Sequence, residues 1–273
     1  MSTTAEPSTQ TCYRHPSRET GVNCSSCGRP ICPDCMTPTP VGMRCPECAR
    51  QRTQVKTLRS MHAEPRVTVA VIAICVLAYL ATGNLGAGTS SAAGNELFRK
   101  LALDGPDVAA GEYWRLVTSG FLHGGIFHIA LNMYLLWVLG RLLEPVLGNV
   151  RFALLYVTAL LWGSLGAILV EPNTYTVGAS GAIFGLMGAA AIDLRARGYN
   201  ILQTDIGVLI AFNLVLSFVI PGISIGGHIG GLVGGALVGT VFLAADRRRM
   251  PWLSYAGPVA LAAVAVAGAI AVA

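Results

Sequence analysis

Charge is what this sequence has least of. Only 12% of its 273 residues are Asp, Glu, Lys or Arg, against roughly 25% in soluble domains. With 53% hydrophobic residues, that deficit excludes an ordinary soluble fold and points to a membrane protein. Cysteine is nearly absent beyond residue 49, where Cys75 stands alone in an apolar run. No His-Glu-x-x-His run occurs, which excludes zinc-protease chemistry of that type. A hydrolase nucleophile elbow is excluded around Ser180, because no strand precedes it and the fifth motif position is Ala182, not Gly. The polar N-terminus is no secretory signal peptide. No internal repeat or pair of broken helices supports a small transporter. Arg29, Arg44 and Arg50 make no nucleic-acid patch, so no nucleic-acid partner is expected.

What is present divides the chain. Residues 1–11 are rich in Ser and Thr and read as disordered. Residues 12–48 carry four close pairs: Cys12 with His15, Cys24 with Cys27, Cys32 with Cys35 and Cys45 with Cys48. Without a signal peptide these read as metal ligands in a reducing compartment. Eight such ligands suffice for two tetrahedral zinc sites. So short a segment cannot build a sufficient apolar core, so metal supplies its folding energy. Residues 49–66 form a basic linker, with Arg50, Arg52, Lys56, Arg59 and Arg66 against Glu64.

The remainder reads as seven spans, each needing roughly 20 apolar residues. Val67–Leu85 is the first. Arg115 to Arg141, Arg151 to Glu171 and Pro172 to Asp193 enclose the next three. The uncharged stretch from Ile206 to Ala245 is too long for one helix, and Pro221-Gly222 and Gly226-Gly227 break it into two. Pro251–Ala273 is the seventh and reads as a plain lipid-facing span. The positive-inside rule puts the basic linker, Arg141, Arg151, Arg195, Arg197 and Arg247–Arg249 in the cytoplasm. The loop 86–122 would then lie outside despite Arg99, Lys100 and Arg115. It is long enough to fold back on the bundle and give them local partners.

Two polar residues sit at matched, shallow depth. Ser180 begins the fourth span and His228 the sixth. A histidine inside a span is costly and is a functional hypothesis by default. A serine hydroxyl attacks poorly until a neighbouring base takes its proton, and imidazole suits that task near neutral pH. Gly178, Gly181 and Gly185 flank Ser180, and Gly227, Gly231 and Gly235 flank His228. Glycines at this spacing let two helix backbones approach, which a hydroxyl–imidazole bond between helices requires. Serine alone would read as helix packing, and histidine alone as readily as a buried structural residue as a functional one; the matched pair favours chemistry. Near the second span lie His123, His128 and Asn132, the last two four apart on one helix face and able to donate to a developing oxyanion.

The set Trp114-Arg115, His128-x-x-x-Asn132, Gly140-x-x-x-Glu144-x-x-x-Gly148, Gly178-x-Ser180-Gly181 and Gly227-His228-x-x-Gly231-x-x-x-Gly235 resembles a rhomboid protease from about residue 66 to residue 245. The resemblance implies an all-α membrane protein, a six-helix bundle plus one C-terminal transmembrane helix, with the protease core at 67–245 and a basic loop with the seventh helix at 246–273. It implies a Ser180–His228 dyad without an aspartate, and an oxyanion site from His128, Asn132 and the Ser180 backbone N–H. It places Arg115 in the first loop and gives Glu144 a structural role. Many rhomboids have tyrosine where Phe184 stands here, so orientation of His228 would come from stacking alone. Catalysis would need no cofactor.

The N-terminal spacing resembles B-box-type zinc fingers. That implies interleaved pairing, with Cys12, His15, Cys32 and Cys35 on one ion and Cys24, Cys27, Cys45 and Cys48 on the other; sequential pairing remains an alternative. Two structural zinc ions and a cytoplasmic partner of this module are expected. The whole reads as an intramembrane serine endopeptidase of the plasma membrane, with its N-terminus in the cytoplasm and its C-terminus outside. Its partners would be the lipid bilayer and single-span protein substrates. The alternative is a non-catalytic rhomboid-like protein that binds transmembrane segments.

Overall fold

The computed structural model describes residues 10–39, 42–50, 65–83 and 95–273. The chain forms two compact units, residues 1–61 and 62–273.

In the first unit, β1 (Gln10–Thr11) pairs antiparallel with β2 (Glu19–Thr20), and β3 (Thr37–Thr39) pairs antiparallel with β4 (Gly42–Arg44). A short helix α1 (Pro46–Arg50) follows. Gln10 and Thr11 read as disordered by composition, yet they are strand. The Cys12 N–H donates to the Arg18 carbonyl at 2.9 Å and closes that hairpin beside the first ligand pair. Strands this short are not stable alone. The core they enclose is Ile31 and six of the seven cysteines, all buried. Residues 1–9 and most of the basic linker lie outside the described residues.

The second unit is helical. α2 (Arg66–Thr82) has its first turn capped from another helix. Glu144, 1% exposed, accepts from the Val67 N–H (2.8 Å), the Thr68 N–H (2.9 Å) and the Thr68 hydroxyl (2.7 Å). The donors left open at a helix start thus meet a carboxylate at the positive end of the dipole. Left-handed Gly83 ends α2 at φ 63°; the expected end at Leu85 falls outside the described residues.

Residues 95–121 carry three short helices, α3 (Glu96–Leu101), α4 (Gly105–Ala109) and α5 (Arg115–Thr118). They do fold back on the unit. Arg115 does not mark the edge of a span. It is 4% exposed and bonded to Glu112, Asp107 and the carbonyls of Arg99 and Ala102. Lys100 pairs with Glu96 at 2.7 Å. The second span is therefore α6 (Ile126–Leu147), with Arg141 inside it rather than at its end.

α7 (Asn149–Val170), α8 (Ser180–Ala196), α9 (Asp205–Val219), α10 (Ile225–Arg248) and α11 (Leu253–Val272) complete the unit. The break between α9 and α10 falls at Pro221-Gly222, where Gly222 has φ 84°. Gly226 and Gly227 lie inside the first turn of α10, capped by the Ser224 hydroxyl, which accepts from the Gly227 N–H at 3.0 Å. Among the described residues α6, α7, α10 and α11 are long and apolar enough to cross a membrane, and α2 and α9 are shorter apolar helices. α8 has 17 residues, about 26 Å at 1.5 Å per residue. Its start is reached from the exposed turn 172–175 through residues 176–179, which pass from half-buried to buried.

Leu136, Leu139, Phe152, Leu155, Ile183 and Leu186 form the centre of the core. Leu77, Phe127, Val146, Leu169, Phe218 and Val219 face outward, the surface that lipid covers. α11 is more than a lipid-facing span. Its Ala265 and Ala269 are fully buried, the Thr158 hydroxyl donates to the Pro258 carbonyl at 3.1 Å, and the Trp162 indole donates to the Leu261 carbonyl at 3.1 Å.

Candidate active site

The site begins with a close approach of two helices. A Cβ on Gly231 of α10 would collide with the Gly181 carbonyl of α8, and one on Gly235 would collide with the Gly185 carbonyl. Only glycine allows this spacing. Ser180 is the first residue of α8 and His228 the fourth of α10, so the contact carries both to one end of the pair. Both line a cavity of about 400 Å³, together with His128, Asn132, Gly178 and Phe184.

The segment leading to Ser180 is held by the folded-back loop. Leu103 and Thr176 exchange two backbone hydrogen bonds, 3.1 and 2.8 Å, and the Gly178 N–H donates to the Ser119 carbonyl at 3.0 Å. Gly178 has φ 129°, and a Cβ there would lie 2.7 Å from His128 Nε2. A side chain at Gly178 would thus be strained and would displace the imidazole. His128 Nδ1 accepts from the Gly124 N–H at 3.3 Å. That acceptor role puts the neutral ring's proton on Nε2, facing the Ser180 segment. The Asn132 amide donates to the His128 carbonyl at 2.8 Å, leaving its second N–H for the cavity. His123 is fully buried, its ring edge-on to His128 at 5.1 Å between centroids. The first N–H groups of α8 have no carbonyl one turn back to bind.

His228 is fixed on two sides. The Phe184 ring stacks on it, centroids 4.2 Å apart and planes 21° from parallel. Its Nδ1 lies 2.6 Å from the hydroxyl of Ser217 on α9. Sequence reading missed Ser217. The signal was present as two polar residues, Asn213 and Ser217, four apart on one face of an otherwise apolar helix. It also missed Glu171 at the end of α7, which lines the cavity and accepts from the Ile225 N–H at 3.2 Å.

A family model described as the rhomboid domain matches residues 110–245, from the folded-back loop through most of α10. The chain is 38% identical over 146 residues to the putative rhomboid protease YdcA of Bacillus subtilis (strain 168), covering 52% of this chain and 73% of that protein. The chain belongs to the rhomboid family. It is also 35% identical over 201 residues to the rhomboid protease GluP of the same organism, 72% of this chain but 38% of GluP. A plant relative, inactive RHOMBOID-like protein 8 of Arabidopsis thaliana, is 35% identical over 98 residues, 36% of this chain and 28% of its own. This rhomboid thus spans under two fifths of GluP and nearly three quarters of YdcA.

The other residues singled out by motif sit around the cavity rather than in it. Glu144 caps α2, Arg115 organises the loop, and the half-exposed Trp114 donates its indole N–H to the Lys100 carbonyl at 3.2 Å. Gly231 and Gly235 set the helix spacing.

The N-terminal unit of this rhomboid gathers its ligands in two groups, Cys12, His15, Cys32 and Cys35, and Cys24, Cys27, Cys45 and Cys48. These are the interleaved sets. Within each, the ligand atoms lie within 4.8 Å of one another. Cys27 and Cys45 sulfurs are 3.8 Å apart, and His15 Nδ1 is 3.3 and 3.4 Å from the Cys32 and Cys35 sulfurs. Zinc–sulfur bonds of 2.3 Å in a tetrahedron imply sulfurs about 3.8 Å apart, so both groups fit a zinc ion. All eight cysteines are free thiols. The Cys45 N–H donates to Cys24 Sγ and holds that thiol down at about 6, ready to ligate as thiolate.

Proposed function

We propose that this rhomboid is an intramembrane serine endopeptidase that hydrolyses peptide bonds of single-span membrane proteins through Ser180 and His228. The observation that carries the reading is the convergence of Ser180, His228, His128 and Asn132 on one cavity. His228 Nε2 removes the Ser180 proton as Oγ attacks the scissile carbonyl carbon. The carbonyl π pair moves onto oxygen. That oxyanion is received by His128 Nε2–H, the second Asn132 N–H and the N–H at the start of α8. The imidazolium then protonates the leaving amine as the C–N bond breaks, giving an acyl-enzyme. Water, deprotonated by His228, hydrolyses the ester and restores Ser180. No metal is assigned to this reaction.

The arginine distribution supports an N-terminus in the cytoplasm and an external cavity mouth; residence in the plasma membrane is part of the same proposal. In the N-terminal unit Cys12, His15, Cys32 and Cys35 would hold one structural zinc ion and Cys24, Cys27, Cys45 and Cys48 a second, and the folded unit would offer a surface to a cytoplasmic partner. A second reading, recognition of membrane segments without cleavage, is favoured by one relative being named inactive. The test is a panel of tagged single-span proteins in liposomes with the purified full chain. Wild type should cut at least one and Ser180→Ala none. A wild type that binds but leaves every substrate whole would favour the second reading.

A further inference from the structure

Ser217 touches the base from a third helix. It is 3% exposed and makes two short hydrogen bonds, 2.7 Å to the Asn213 carbonyl and 2.6 Å to His228 Nδ1. A hydroxyl has one proton to give and two lone pairs to offer. The Asn213 carbonyl can only accept, so it takes that proton. The Ser217 oxygen is then an acceptor for His228, and the ring proton sits on Nδ1. The other groups around the ring do not compete for this position. Glu171 accepts from the Ile225 N–H, His128 Nδ1 accepts from the Gly124 N–H, and Phe184 offers only its ring face.

We propose that Ser217 is a positioning residue: it holds His228 in the tautomer with the proton on Nδ1, leaving the Nε2 lone pair for Ser180. The proposal rests on the Ser180–His228 reading. In the opposite tautomer Nε2 carries the proton and cannot take another from Ser180. The same contact serves the imidazolium, whose Nδ1–H makes a stronger, charge-assisted bond to the same oxygen. Ser217 would thus do with a neutral hydroxyl what an aspartate does for the histidine of a triad. Phe184 fixes the plane of the ring; Ser217 fixes its rotation in that plane and the site of its proton.

The test uses the full chain in detergent micelles or liposomes. Ser217→Ala should lower kcat about tenfold with KM unchanged, less than the 10²–10⁴-fold that a general base supplies. The rate of Ser180 labelling by a fluorophosphonate should fall by a similar factor. Ser217→Thr keeps the oxygen and should restore both. Nitrogen-15 spectra, with His228 assigned by difference from His228→Ala, should show a protonated Nδ1 in wild type and a shift toward protonated Nε2 in Ser217→Ala. Equal rates in wild type and Ser217→Ala, or a His228 signal unchanged between them, would overturn the proposal. If wild type itself neither labels nor cuts while Nδ1 is protonated, the protease reading is what fails, and a catalytic role for Ser217 falls with it.

Discussion

The approach of α8 and α10 can be tested with a single methyl group. Gly231→Ala places a Cβ inside the contact distance of the Gly181 carbonyl oxygen. The obstacle is helix backbone and cannot rotate aside. The helices must separate by about 1.5 Å to restore an ordinary contact, and a misplacement of even about 1 Å can cost about 100-fold in rate. Overpacking costs about 1–3 kcal/mol of stability, which leaves most chains folded if total stability is about 5–15 kcal/mol. The expected result is therefore a folded protein with cleavage slowed about 100-fold, measured on a single-span substrate in liposomes. Gly268→Ala is the control. Its Cβ would lie 3.3 Å from the end of the Leu165 side chain, neither residue lines the cavity, and that side chain can move. Wild-type cleavage by Gly231→Ala would refute the claim that this contact sets the site.

His128→Ala and Asn132→Ala should each cut turnover by about 10²–10³-fold while circular dichroism stays unchanged, the loss typical of one oxyanion donor; unchanged turnover in both would move them to packing. Glu144→Ala removes an acceptor of three hydrogen bonds from a buried helix start and should destabilise by about 2–4 kcal/mol, at about 1.5–3 per bond to a charged group less partial repair by water; a thermal midpoint equal to wild type would contradict the capping role. Metal analysis of the full chain should give two zinc ions, falling to one in Cys24→Ser, and a chelator should leave cleavage unchanged; no bound zinc would sink the metal assignment. Reporter fusions after Arg197 and Arg249 should report cytoplasm and one near Tyr175 the opposite side; reversed signals would invert the topology.

The residues that converge on the cavity were largely legible because their signals are local. Ser180 and His228 open apolar spans inside glycine runs, and His128 and Asn132 share a face by spacing alone. Phe184 was expected to orient His228 by stacking, and the two rings do stack. What was not legible depends on contacts distant in sequence. Arg115 was expected in a folded-back loop with local partners and has them in Asp107 and Glu112, but spacing did not show that it is buried or that the Arg99 and Ala102 carbonyls complete its shell. The hydrogen bonds of Leu103 with Thr176 and of Gly178 with Ser119 join segments that composition treats as separate loops. Ser217 was hidden for a related reason. Its partner is on the next helix, and a serine in an apolar span usually bonds its own helix, so its spacing from Asn213 did not point to His228. Ala265 and Ala269 read as lipid-facing because small apolar residues look alike whether they meet lipid or another helix.

The central claim is that Ser180 is a nucleophile activated by His228. The most direct measurement is covalent labelling of the full chain by a fluorophosphonate, with the adduct located by mass spectrometry. Attack on phosphorus needs the same activated oxygen as attack on a peptide and needs no knowledge of the substrate. The account predicts one adduct, on Ser180, in wild type and none in Ser180→Ala or His228→Ala. An adduct on another residue, or labelling of His228→Ala at the wild-type rate, would contradict it.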